Sequence, residues 1–523
     1  MENAATPPST PLMIFAILPI SDHNPHHHSK RWPSTSEVVE EIQNLYNIAF
    51  PMIITGLLLY GKAVISMLFM GRLGKDVLAG GSLAIGFANI TGYSVLSGLA
   101  MGMEAISSQA YGAEQWSLMG HALQRTIMIL LTACIPIALL WLKIEPILLY
   151  CGQDRAITAV ASTYLAFSLP DLIFQSFLNP LKIYLRTQNI TMPLTVGAAL
   201  SLILHAPINY FLVCFLGLGI RGIALTAAFT DFNLLVALLI YLNCSGLHKK
   251  SWGGWSSECF CEWKPLLNLA IPSCISVCLE WWWYELMVIF SGLLSNATDA
   301  VAAMGILIQA TSLVYIFPLA LSLAVSTRVG NELGANRPDK ARLSMQVSIF
   351  CAIFTGLVAM VFTTALRNVW GRAFTTDGAI ISLTAMAMPI VGLCELGNCP
   401  QTTGCGALRG SARPSLGANI NLGSFYGVGM PMAMAMGFVL NLGLLGLWLG
   451  LLAAQGTCAL VMIFLLLRTD WGLQAKRARE LMGGGDEGVY KGNIEEDVGN
   501  SPPYKIVESE EVEAIISFKV LQQ

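Results

Sequence analysis

Two glutamates, Glu280 and Glu285, stand in the stretch "CLEWWWYE" (278–285), and a third, Glu395, stands in a second apolar run. Both runs are long enough to cross a bilayer. A carboxylate near the bilayer centre costs about 2.5 kcal/mol or more, so such acids face a bundle interior or a wet cavity and mark an ion or solute path. At about 100° per residue, Glu280 and Glu285 point roughly 140° apart. Glu280 shares its face with Tyr284, and Glu285 shares its face with Trp281 and Trp282. Counting about 1.5 Å per residue from Lys264, Glu280 lies some 24 Å into its span, and Glu395 reaches a similar depth from the other side. A carboxyl held out of water at that depth can take up and release a proton near neutral pH.

Other ionisable residues inside apolar runs are Lys62, Asp171 and Asp231, with Glu104 nearer an end. For Asp171 and Asp231 a hydrogen-bonded packing carboxylate and an ion-path acid are both open readings. The aromatic block also admits two: a belt at the headgroup level, or a cavity wall whose ring faces hold flat or cationic solutes. On the cavity reading the lining is Trp281, Trp282 and Tyr284, with Gln309 and Tyr315 from the next apolar run.

The elements that must position these residues follow from composition. Of 523 residues, 55% are hydrophobic and 12% charged, against about 25% charged in a typical soluble domain. The chain is therefore an integral membrane protein, and its net charge of -3 argues against a nucleic-acid partner. Twelve runs approach the ~20 residues a span needs: 44–70, 77–101, 118–142, 157–180, 193–215, 219–242, 266–292, 299–325, 342–366, 379–401, 415–437 and 443–467. Continuous apolar runs of this length predict helices, because barrel strands must alternate. Lys and Arg concentrate after spans two, four, six, eight and ten, for example Lys182, Arg186, Lys249, Lys250, Arg328, Arg409 and Arg413. The positive-inside rule then puts both termini in the cytosol.

The two halves repeat. "LYNIAFP" at 45–51 answers "LLNLAIP" at 266–272, and "ISSQAYGA" at 106–113 answers "RVGNELGA" at 328–335. The offset stays between 221 and 224 residues across six spans. This predicts an all-α membrane protein with twelve transmembrane helices in two pseudo-symmetric six-helix lobes around a central cavity, the architecture of an alternating-access carrier. The expected organisation is a cytosolic tail at 1–43, a first lobe at 44–242, a cytosolic linker at 243–265, a second lobe at 266–467 and a cytosolic acidic tail at 468–523. Residues from Gly483 onward read as disordered. The thirteen cysteines lack the spacing of a zinc site or disulfide framework, and Leu12 to Ile20 does not read as a secretory signal. His26, His27 and His28 read as part of a solvated tail. No cofactor or metal is expected.

Four motifs together resemble the multidrug and toxic compound extrusion (MATE) family, in its plant detoxification-type branch. They are "CLEWWWYELMVIFSGLL", "STRVGNELGANRPDKAR", "ISSQAYGAEQ" and "ALRGSARPSLGANIN", and the resemblance covers about Ile42 to Trp471. It implies a monomeric, non-enzymatic exporter of small organic solutes, driven by protons, in the plasma membrane or in a vacuolar or endosomal membrane. Carried over by position, the family's coupling acids fall on Glu280, Glu285 and Glu395. Arg328, Gly330, Asn331, Gly334 and Ala335 fall on a loop motif with a turn and packing role. Ser66 stands where many bacterial members carry an aspartate, and Gln309 where animal relatives carry an acid, which shifts the expected coupling to the second lobe. On this reading, protonation of the second-lobe carboxylates favours the state that releases solute outside. Sodium coupling and a non-transporting scaffold or sensor with a recruiting tail are the alternatives.

Overall fold

The computed structural model describes residues 33–255, 257–261 and 263–483. The expectations for Leu12 to Ile20, for His26 to His28 and for the acidic tail beyond Gly483 lie outside the described residues. Among the described residues every regular element is helical. The membrane-crossing helices are α1 (Thr35–Leu73), α2 (Lys75–Gly112), α3 (Trp116–Leu142), α4 (Arg155–Phe167 and Leu169–Thr187), α5 (Met192–Phe215) and α6 (Ile220–Ser245) in the first half. The second half has α7 (Trp263–Ser291), α8 (Ala297–Gly334), α9 (Pro338–Ala373), α10 (Gly378–Gly410), α11 (Pro414–Val439) and α12 (Gly443–Leu467). A shorter helix, α13 (Trp471–Leu481), follows.

Each apolar run falls on one of these helices to within a residue, but several helices outlast their runs. Helix α2 continues to Gly112, α8 to Gly334 and α10 to Gly410, all at the end of the bundle where α1 begins. Hydropathy ends a span at the last apolar residue, whereas here the polar extensions are buried against one another: Glu104, Gln109, Asn331, Glu332 and Thr402 are all nearly inaccessible. Lys182 and Arg186 lie within α4, Arg328 within α8 and Arg409 within α10, not in the loops where the charge count placed them.

Local signals set the ends and bends. A capping box starts α1: the Glu37 amide donates to Ser34 Oγ at 3.3 Å, and the Ser34 amide donates to Glu37 Oε2 at 2.7 Å. Helix α4 bends by 46° at Ser168, where Pro170 has no amide hydrogen to continue the ladder. Asp470 caps α13 through the Leu473 amide at 3.1 Å, and Trp471, Ala475 and Ala478 bury its inner face. The segment expected to be a tail from 468 thus begins with a docked helix.

Two apolar cores form, one mainly from α2 to α6 and one from α7 to α13, the latter joined by Leu45, Ile48 and Ala49 of α1. Outward-facing apolar side chains such as Leu68, Ile203, Phe350 and Leu460 stay largely exposed, the surface that hydrocarbon covers. The repeat is also written in the backbone. Left-handed residues Glu114, Asn189, Gly217 and Gly219 recur as Asn336, Ala412, Asn441 and Gly443, 222 to 224 residues on. The closing turns of α5 and α11, Tyr210–Phe215 and Ala435–Val439, are both π-helical. The chain is an all-α membrane protein with twelve helices in two lobes.

Candidate functional site

Two of the three second-half acids, Glu280 and Glu395, are buried. Glu280 of α7 and Glu395 of α10 are 8% and 1% exposed, and Glu280 is near enough for its charge to act on Glu395. Tyr315 on α8 lies beside Glu280. Asn398, one turn along α10, donates to Glu395 Oε2 at 2.8 Å, while Oε1 has no hydrogen-bond partner among the described residues. A buried carboxylate oxygen without a donor is costly unless a proton, an ion or water completes it. Tyr284 stands near both acids, and Gln455 of α12 approaches its hydroxyl at 3.5 Å.

Helical periodicity separated Glu280 from Glu285, and the side chains do part. Glu285 is half-buried and turns its oxygens toward Gly86 of α2; a β-carbon at that glycine would lie 3.8 and 3.9 Å from them. The tryptophans part too. Trp281 is half-buried, and Trp282, 42% exposed, donates from Nε1 to the Ile90 carbonyl of α2 at 3.2 Å. Trp283, 1% exposed, is packed edge-on against Phe425 and Tyr426 of α11, with ring centroids 5.7 and 6.1 Å away. Gln309 of α8 takes a hydrogen bond from Tyr60 of α1 at 3.2 Å. Glu280, Tyr284, Tyr315 and Glu395 are therefore brought together; Glu285, Trp282 and Gln309 instead reach across to the first half.

The first half holds a separate polar cluster. Lys62 Nζ lies 2.9 Å from Asp231 Oδ1, Gln175 donates to Asp231 Oδ2 at 2.8 Å, and Tyr93 donates to Asp171 Oδ2 at 2.7 Å. Ser66 meets a buried histidine, His205, at 3.0 Å, and His205 also contacts Thr230 and Asn209. A pocket of about 400 Å³ lies in the first half beneath the linker, lined by Phe177, Tyr184, His248 and Trp252. It contains none of the residues expected to line a solute path.

Sequence reasoning missed a third cluster, which closes the bundle at the end where α1 begins. Glu104 of α2 is buried and paired with Arg186 of α4. From the other half it receives Arg409 Nε at 3.0 Å and Ser326 Oγ at 2.8 Å. Gly102 of α2 backs directly onto Ala270 of α7, and Gly330 of α8 onto Ser108 of α2, with no room for a β-carbon at either glycine. The segment expected to be a turn at 328–335 is the last helical turn of α8, where Arg328 pairs with Glu41 and Glu332.

A model of the MatE family matches residues 51–211 and again 272–435, once in each half. The chain belongs to the MatE family. Protein DETOXIFICATION 48 of Arabidopsis thaliana is 59% identical over 452 residues, covering 86% of this chain and 85% of that protein. Protein DETOXIFICATION 49 of the same plant is 56% identical over 468 residues, 89% and 92% of the two chains. The crystal structure of the eukaryotic MATE transporter AtDTX14 superposes with a TM-score of 0.82 at 30% identity, covering 85% of this chain and 99% of that one. The Vibrio cholerae MATE transporter VcmN in the bent form, at 16% identity and a TM-score of 0.72 over 86% of this chain and 100% of that one, shares the fold. This MATE chain is thus a multi-pass membrane transporter of the detoxification, multidrug-efflux type, in a family of carriers rather than enzymes.

Proposed function

We propose that the chain exports small organic solutes by antiport with protons, and that Glu280 and Glu395 carry the protons. The observation that carries this reading is two buried second-half carboxyls, Glu280 with Tyr315 beside it and Glu395 held by Asn398 at Oε2 with Oε1 unpartnered among the described residues. A carboxylate held out of water with an unmatched oxygen is costly, and a proton on it relieves that cost. The end of the bundle where α1 begins is taken as cytosolic. In that orientation the tightly packed end is the inner one.

A solute bound beside Tyr284 and Tyr315 then competes with a proton for the same carboxyls. A proton arriving from outside displaces it, and the gradient supplies the free energy. Glu285, turned toward Gly86, is assigned a smaller share, in solute range rather than in coupling.

The test is flux in proteoliposomes under an imposed pH gradient, with and without Na⁺. The pH gradient alone should drive export. Glu280→Gln and Glu395→Gln should each abolish the drive while leaving a folded protein, and Glu285→Gln should retain most of it. Flux driven by a Na⁺ gradient at uniform pH would instead make sodium the coupling ion. No flux under either gradient would favour the scaffold reading.

A further inference from the structure

We propose that the slot beneath the linker binds an anionic phospholipid, with one acyl chain inside it and the headgroup against Lys249 and Lys250. The site is separate from the carboxyls of the second half and independent of the coupling ion. Its cavity of about 400 Å³ lies within the size range of ligand pockets, about 300–1,000 Å³, and its walls are repeated apolar stripes. Leu235, Leu239 and Leu242 stand four and three residues apart on one face of α6, and Phe177, Leu181 and Tyr184 do the same on α4. Helix α3 forms the third wall.

Depth and polarity decide the occupant. From Leu235 to Asn243 at the rim, the slot follows eight residues of α6, about 12 Å at about 1.5 Å per residue. One leaflet is ~15 Å deep, half of the ~30 Å hydrocarbon core. Leu239 and its neighbour Ile240 are exposed on this spanning helix, so the slot opens where hydrocarbon lies. Its polar lining gathers at the linker end, in Asn243, His248 and the indoles of Trp252 and Trp255.

The rim is built and cationic. Gly246, at φ +66°, ends α6 in the left-handed region, a turn that glycine makes without strain. His248 Nδ1 then meets the Leu242 carbonyl at 2.9 Å. Ser251 bonds to Tyr184 of α4, and Gln124 of α3 donates to the Gly254 carbonyl at 2.8 Å, which holds the linker across the mouth. Between these fastenings stand Lys249 and Lys250, both exposed. Lys250 Nζ lies 5.5 Å from the centroid of the Trp116 ring, and neither lysine has a carboxylate partner among the described residues. Residues 243–255 contain no Asp or Glu.

An apolar slot about one leaflet deep with a cationic rim fits a lipid chain joined to an anionic headgroup, and basic pockets between helices on the cytosolic side recognise such lipids. In the orientation taken above the rim faces the cytosol, whose leaflet carries the anionic lipid. A water-soluble anion would use the rim and leave the slot empty. Two residues beyond Tyr184, α4 presents Arg186 to Glu104. A lipid in the slot therefore braces both the linker and the inner end of α4.

Native mass spectrometry counts the bound lipid on the full chain, delipidated in detergent and offered equimolar phosphatidylserine and phosphatidylcholine with identical chains. The parent should retain phosphatidylserine in preference to phosphatidylcholine, and its melting temperature should rise with phosphatidylserine. Each lysine near an anionic headgroup is worth about fivefold. Lys249→Ala combined with Lys250→Ala should thus cut the preference about tenfold or more and leave the lipid-free melting temperature unchanged. Leu239→Trp, which fills the slot, should lose the retained lipid. Lys340→Ala, at an exposed lysine of the second half, and Glu280→Gln should bind it as the parent does. Equal retention of the two lipids, an undiminished preference in the double lysine variant, or full retention in Leu239→Trp each overturns the proposal. Should Leu239→Trp not fold, the double lysine variant, altered only at exposed side chains, decides alone. Inorganic phosphate without lipid should not move the parent's melting temperature; a rise that the double lysine variant abolishes would make the ligand a soluble anion and overturn the lipid assignment.

Discussion

Arg328 grips Glu41 with two parallel hydrogen bonds, Nε to Oε1 at 3.0 Å and Nη2 to Oε2 at 2.7 Å, tying the start of α1 to the last turns of α8. A bidentate pair of this kind is stronger than a single charged hydrogen bond and fixes orientation as well as distance. Arg328 also reaches Glu332 at 2.9 Å, so it is the shared cation of two buried carboxylates.

The two partners should therefore differ on removal. Glu41→Ala leaves Arg328 its bond to Glu332 and should cost about 1–3 kcal/mol. Arg328→Ala strips Glu41 of its cation and leaves Glu332 only Arg337, and should cost about 3–5 kcal/mol. Thermal unfolding in detergent ranks them; equal losses would mean the pair is not shared as described.

Lys62 and Asp231 make the corresponding test in the first half. Lys62→Met leaves Asp231 buried with Gln175 as its one remaining hydrogen-bond donor among the described residues, a loss of about 3–5 kcal/mol. Adding Asp231→Leu removes the stranded charge and should return most of that stability. A double-mutant cycle by thermal unfolding measures the recovery, and a double variant as weak as Lys62→Met alone would contradict the pairing.

The aromatic block should split along its burial. Trp283→Ala empties a fully buried site against Phe425 and Tyr426 and should cost about 3–5 kcal/mol. Trp282→Ala gives up an exposed ring and one hydrogen bond to Ile90, about 0.5–1.5 kcal/mol. Melting temperatures of the two variants, measured together, check the ordering.

Gly102→Leu places a side chain where α2 touches Ala270. Overpacking of this kind costs roughly 1–3 kcal/mol, and here it falls only on the state in which the halves meet. The variant should fold, lose most of its transport and, with spin labels at the exposed sites Gln115→Cys and Lys340→Cys, show those labels farther apart than in the parent. A short distance in that variant would show that the interface absorbs the side chain.

The fold was largely legible because hydropathy and a 221–224 residue repeat are both local or periodic signals. Glu280 and Glu285 were separable for the same reason: helical rotation alone turns them apart. Arg186 and Arg409 were not legible as buried residues. Each is satisfied by Glu104, 82 and 305 positions away in the chain, and nothing within a span announces so distant a partner. Trp283 shows the same limit, since three consecutive tryptophans do not say which one packs.

The π turns that end α5 and α11 lie at the end of the bundle opposite the Glu104–Arg409 contact. A π turn inserts an extra residue and disturbs the regular hydrogen-bond ladder of its helix. Each half is thus built like one arm of a pair of tongs, tightly packed at the jaw that bites and irregular in its backbone at the shoulder, with the irregularity at the same place in both arms. Lengthening or shortening either shoulder by one residue would change how far the jaws open without touching any group that binds a solute or a proton.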